Sequence, residues 1–90
     1  MVQNKIKTAL EMLSKANAAM IEAISAAVNE SKNKEVNYTE SNKYDGGEER
    51  TIKCNENGEL MMFDDCDNEL VAIDDLSADD LYDICLQLVK

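Results

Sequence analysis

Ninety residues, 44 % of them apolar, with no His, no Pro, no Trp and a formal net charge of −10, describe one small domain with a thin aliphatic core. The charge is uneven: residues 1–35 carry five Lys against four Glu, whereas residues 36–90 carry four basic and fifteen acidic side chains. So acidic a body argues against direct binding to nucleic-acid phosphates or an anionic membrane surface, and favours a basic partner protein.

The first segment predicts a helix over residues 3–29. Ile6, Leu10, Leu13, Met20, Ile21, Ile24 and Val28 recur at helical spacing on one stripe. Ala9, Ala16, Ala19, Ala23 and Ala26, with Met12, form a second stripe beside it. The first stripe also reads as alternating threes and fours, Ile6, Leu10, Leu13, Asn17, Met20, Ile24 and Ala27, which is a short heptad seam with Asn17 in its middle. In such a seam Asn17 either pairs with its mate across a two-fold axis or bonds a loop carbonyl of its own chain. A helix of about 25 residues is near 38 Å long, whereas a six-residue strand spans about 20 Å. The helix therefore overhangs any sheet this chain can build. Glu11, Lys15 and Glu22 interrupt the Ala-rich stretch, which argues against a secretory leader, and no run reaches the length of a membrane span.

Residues 30–47 form a polar connector, although Val36 and Tyr38 alternate as a short edge strand would. Residues 48–74 predict a three-stranded antiparallel meander: Arg50–Cys54, Leu60–Asp64 and Leu70–Ile73. A tight turn at Asn57-Gly58 would set Ile52 opposite Phe63 and Cys54 opposite Met61. The chain closes on a helix over 77–89. Ser77 is its N-cap, Asp80 stands three residues on, and Leu76 and Leu81 flank the cap as a hydrophobic staple would. Its apolar arc, from Leu81, Ile84, Cys85 and Leu88 through Tyr82, Leu86 and Val89, passes half the circumference, so it requires cover from more than one element.

Eight of the eighteen residues from Phe63 to Asp80 are acidic and none is basic. Asp64 and Asp65, Asp67, Asp74 and Asp75, and Asp79 and Asp80 each fall at a strand end, a turn or a helix start, where carboxylates serve local structure. The alternative is that the seven line one edge and imitate a phosphate track. A calcium loop fails on spacing, because a loop starting at Asp65 puts Leu70 where Gly is required and Leu76 where Glu is required. Cys54, Cys66 and Cys85 match no zinc spacing and cannot all pair within one chain, which suits reduced thiols in the cytoplasm. Asp45-Gly46-Gly47 lacks the Lys-Ser/Thr of a phosphate loop.

The sequence thus predicts an α+β domain in the order α-β-β-β-α. It is expected to need no cofactor and no metal, and to be no enzyme, since the usual His-based acid–base and nucleophile pairs are missing. The expected function is a small acidic interaction module, cytoplasmic and homodimeric, self-associating through Ile6, Leu10, Leu13, Asn17, Met20 and Ile24. The alternative is an acidic inhibitor that mimics nucleic acid or blocks a basic site on a partner protein.

Overall fold

The computed structural model describes residues 2–40 and 47–89. An N-terminal helix, α1 (Val2–Glu30), is followed by four strands, β1 (Glu35–Glu40), β2 (Glu48–Cys54), β3 (Leu60–Phe63) and β4 (Glu69–Ala72). A 3₁₀ turn (Ile73–Asp75) then leads into the closing helix α2 (Ala78–Leu88). The strands lie in chain order in one antiparallel sheet, so the architecture is α+β with one strand more than the three expected.

The extra strand comes from the stretch read as connector. Val36 and Tyr38 do alternate inward, and all of β1 pairs with β2, from Glu35 opposite Lys53 to Glu40 opposite Glu48. Helix α1 hands over to it through Ser31, whose hydroxyl donates to the Val28 carbonyl and accepts the Glu35 N–H at 2.8 Å. Lys34 takes a left-handed φ of 59° to reverse the chain. Residues 41–46 of the expected connector, including Asp45 and Gly46, lie outside the described residues.

The β2–β3 register differs by one residue from expectation, with Ile52 opposite Met62 and Cys54 opposite Leu60. The turn is longer than a two-residue loop. Asn55 N–H donates to the Glu59 carbonyl, Gly58 N–H donates to the Asn55 carbonyl, and the Asn55 side-chain oxygen accepts from the Asn57 and Glu59 N–H groups. Gly58 sits at φ 80°, the left-handed residue that ends a three-residue hairpin loop. The β3–β4 turn repeats this pattern with Asp64 for Asn55 and Asp67, at φ 64°, for Gly58. The one-residue shift carries every side chain of β3 to the face opposite the expected one.

The resulting rows explain the core. Val36, Ile52, Met62 and Val71 are successive cross-strand partners and lie in one row over the sheet. Onto it pack Ile24 and Val28 of α1, Leu81 and Ile84 of α2, Ile73 and Tyr38. Tyr38 is buried, and its hydroxyl donates to Met62 Sδ at 3.3 Å. The opposite face is lighter: Lys53 lies 4.8 Å from the centroid of Phe63 and pairs with Asp67 at 2.6 Å. The last expected strand residue, Ile73, instead opens the 3₁₀ turn and is fully buried.

Ser77 caps α2 as its spacing predicts, its hydroxyl accepting the Asp80 N–H at 3.3 Å. Gln87, half-buried near the end of α2, ties the helix to the sheet. Its side-chain oxygen accepts the Thr39 N–H at 2.7 Å and its amide nitrogen donates to the Thr39 carbonyl at 2.8 Å, which pins α2 to the free edge of the sheet.

The fold sets three stability differences. Ile52→Ala, which empties the middle of the row, lowers unfolding free energy by about 2–5 kcal/mol; Ser77→Ala lowers it by about 1 kcal/mol. Urea titration of both variants checks the order. Gly58→Ala places a Cβ at left-handed φ and costs about 1–2 kcal/mol in the same assay.

Candidate functional site

Helix α1 is 29 residues long, about 44 Å at 1.5 Å per residue. Among the described residues, only its C-terminal part is covered by other elements. Ile24 and Val28 are 0 % and 2 % exposed, and Met20 and Ile21 pack partly against the core. Toward the N-terminus the same stripe continues with nothing over it among the described residues: Leu13 is 48 % exposed, Ile6 55 % and Leu10 61 %. Every residue from Val2 to Ala16 is exposed. The overhang also shows in the shape: the long axis is 49 Å and the radius of gyration 14.7 Å, against about 12 Å for a compact chain of this length.

The six residues expected in a self-association seam therefore divide. Ile6, Leu10 and Leu13 face solvent; Ile24 is enclosed by its own chain and Met20 is partly so. Asn17 stands at the boundary, half-buried, and its Oδ1 is buried without accepting a hydrogen bond among the described residues. The own-chain loop carbonyl, a partner for the amide nitrogen, would leave that oxygen in need of a donor all the same.

A second exposed apolar feature lies on the closing helix. Tyr82, Leu86 and Val89, spaced along one side of α2, are all exposed. Val89 also borders a groove of about 210 Å³ between the two helices, whose walls are Ala23, Ile24 and Ala27 on one side and Cys85, Leu88 and Val89 on the other. Sequence periodicity marked α2 as too apolar for a helix with one covered face, yet did not tie that excess to the Ala stripe of α1. Only the packing of the two helices brings the two together.

The seven acidic residues of the expected partner surface sit on three elements. Asp64, Asp65 and Asp67 form the β3–β4 turn, Asp74 and Asp75 the 3₁₀ turn, and Asp79 and Asp80 the first turn of α2. Asp64 has a structural task, since its carboxylate accepts the N–H groups of Cys66 and Asn68 and the Asn68 side-chain amide. The Asn68 N–H, with the other donors, holds the Asp64 carboxyl below the usual range. Asp64, Asp65 and Cys66 bring ligand atoms within 4.8 Å of one another, but these hydrogen bonds already use much of the Asp64 acceptor capacity. The Asp65 and Asp64 charges push the Cys66 thiol up, which dulls it as a nucleophile. An open hollow of about 440 Å³ lies between this turn and the start of β2, with Glu48, Glu49, Arg50, Asp64 and Asp65 on its walls. Arg50 is held there by Glu40 at 3.0 Å and by Glu48.

No protein-family model, curated protein or solved structure matches this chain. No described helix is long and apolar enough to cross a membrane.

Asp64→Ala supplies a test of the turn. A depressed folded-state pKa contributes stability above the unfolded carboxyl value and loses it as pH falls through the folded value. The variant is therefore less stable than the parent at neutral pH, and the gap in urea midpoint narrows as pH falls below about 4. A gap constant from neutral to acid pH contradicts the role assigned to this carboxylate.

Proposed function

We propose that this chain is a non-enzymatic interaction protein that self-associates as a dimer through the uncovered half of α1. One observation carries the reading: a continuous apolar stripe, Ile6, Leu10 and Leu13, extends the core face of α1 beyond the body that covers Ile24 and Val28. A stripe of this kind, left in water, marks an interaction surface. Full burial of one Leu side chain is worth about 1.5–3 kcal/mol, so a few such residues supply the association energy. The catalytic groups a 90-residue enzyme would use are scarce, with no His in the chain and with Asp64 and Arg50 engaged in local bonds. The unpaired thiols Cys54 and Cys66, both exposed, suit a reducing compartment such as the cytoplasm.

A specific observation also favours a basic partner for the acidic body. The ion pairs among the described residues occupy Glu40, Glu48 and Asp67. Asp65, Asp74, Asp75, Asp79 and Asp80 enter none of them, and they attract cationic surfaces, whether the protein serves as an interaction module or as an inhibitor of a basic site.

Gel filtration with light scattering tests the self-association. The 10.0 kDa chain runs at twice its mass, and the double variant Leu10→Glu and Leu13→Glu dissociates at least about 100-fold more readily while its circular dichroism is unchanged. A parent chain that stays monomeric at every concentration contradicts the proposal.

A further inference from the structure

We infer that the uncovered half of α1 seats in the groove between α1 and α2 of a second copy, reciprocally, with the two α1 helices antiparallel about a two-fold axis near Asn17. The inference rests on the self-association proposed above and specifies its geometry.

Three observations select this seating over a side-by-side pairing of the two projecting halves. The first is area. The fifteen residues from Val2 to Ala16 make a rod about 22 Å long and about 10 Å wide, so burying half its surface removes on the order of 400 Å² from water. Pairing only the projecting halves then buries about 800 Å² in total, in the range of adventitious contacts. In the reciprocal seating each copy both inserts a half-helix and receives one, which doubles the total to about 1,600 Å², the size of a standard specific interface.

The second is charge. Residues 2–16 carry Lys5, Lys7 and Lys15 against Glu11, a net of +2, which leaves −12 for the rest of the chain. Side-by-side pairing sets +2 against +2. Reciprocal seating lays each basic rod against the net-acidic body of the other copy. Like charges brought together oppose association, whereas opposite charges steer it.

The third is self-complementarity. A two-fold interface uses one surface twice, so projecting and receiving parts must lie on opposite sides of the axis. On α1 the projecting residues Ile6, Leu10 and Leu13 precede Asn17, and the groove residues Ala23 and Ala27 follow it. Small side chains on the receiving wall let a second helix approach closely, and Cys85, Leu88 and Val89 supply the other wall. The apolar arc of the projecting half takes in Ala9, Met12 and Ala16 as well as the stripe, a width suited to a helix lodged between two others. Near the axis the two Asn17 side chains come within about one turn of each other, where each amide can serve as donor to the other.

Native Cys85 lines the groove, so it reports the seating directly. In a Cys54→Ser, Cys66→Ser background, Ala9→Cys and Leu13→Cys are introduced singly; both positions are exposed, and circular dichroism confirms that each variant folds. The variants are oxidised with copper–phenanthroline and mapped by peptide mass spectrometry. The expected result is an intermolecular bond from residue 9 or 13 to Cys85 of the other copy, formed twice per dimer. Bonds between two residues 9, or between two residues 13, overturn the reciprocal seating, as does a light-scattering dimer that forms no bond to Cys85; both leave self-association standing. A monomer by light scattering overturns this inference together with the proposal beneath it.

Discussion

The length of α1 relative to the sheet it crosses is the constraint on which the rest depends. A helix of about 44 Å meets strands of four to seven residues, which span about 13–23 Å. The body can cover only one end of such a rod, and it covers the C-terminal end, where Ile24 and Val28 join Leu81, Ile84 and the sheet. The projecting end is a fifteen-residue helix with no tertiary partner within its own chain among the described residues. Isolated helices of that length are marginal in water, because most helical stability in proteins comes from packing of the apolar face. The sequence nevertheless keeps Ile6, Leu10 and Leu13 on that face.

The body itself is stabilised by economical means. One row of cross-strand partners, Val36, Ile52, Met62 and Val71, spans all four strands, and two five-residue turns of like chemistry hold its register. In each turn an Asn or Asp side chain collects two backbone N–H groups and a left-handed residue completes the reversal. The acidic character of the β3–β4 turn is thereby partly explained as turn chemistry. The acids of α2 are likewise favoured by the helix dipole in its first turn. Local structure and an overall negative field thus come from the same residues.

Much of this was legible in the sequence, and the failures have physical causes. The 3.6-residue period of α1, the Ser77 cap and the overhang all follow from local pattern and simple lengths. The strand β1 is faint in the sequence because two inward residues, Val36 and Tyr38, give little periodicity between Asn, Thr and Glu; long-range pairing with β2 supplies what local preference lacks. The register differs by one from expectation because Asn57-Gly58 suits a two-residue turn in isolation, whereas the Asn55 side chain stabilises a loop one residue longer. The candidate surface was half legible. Its stripe on α1 could be read directly, but the groove joins residues 23–27 to residues 85–89, and no local pattern shows which helices will become neighbours.

Hydrogen exchange of the α1 amides, followed at two protein concentrations, tests the central claim most directly. If the projecting half depends on a second molecule for its cover, protection over residues 6–16 rises with concentration while protection over residues 20–28 stays constant. Equal protection of residues 6–16 in dilute and concentrated solution would contradict the account.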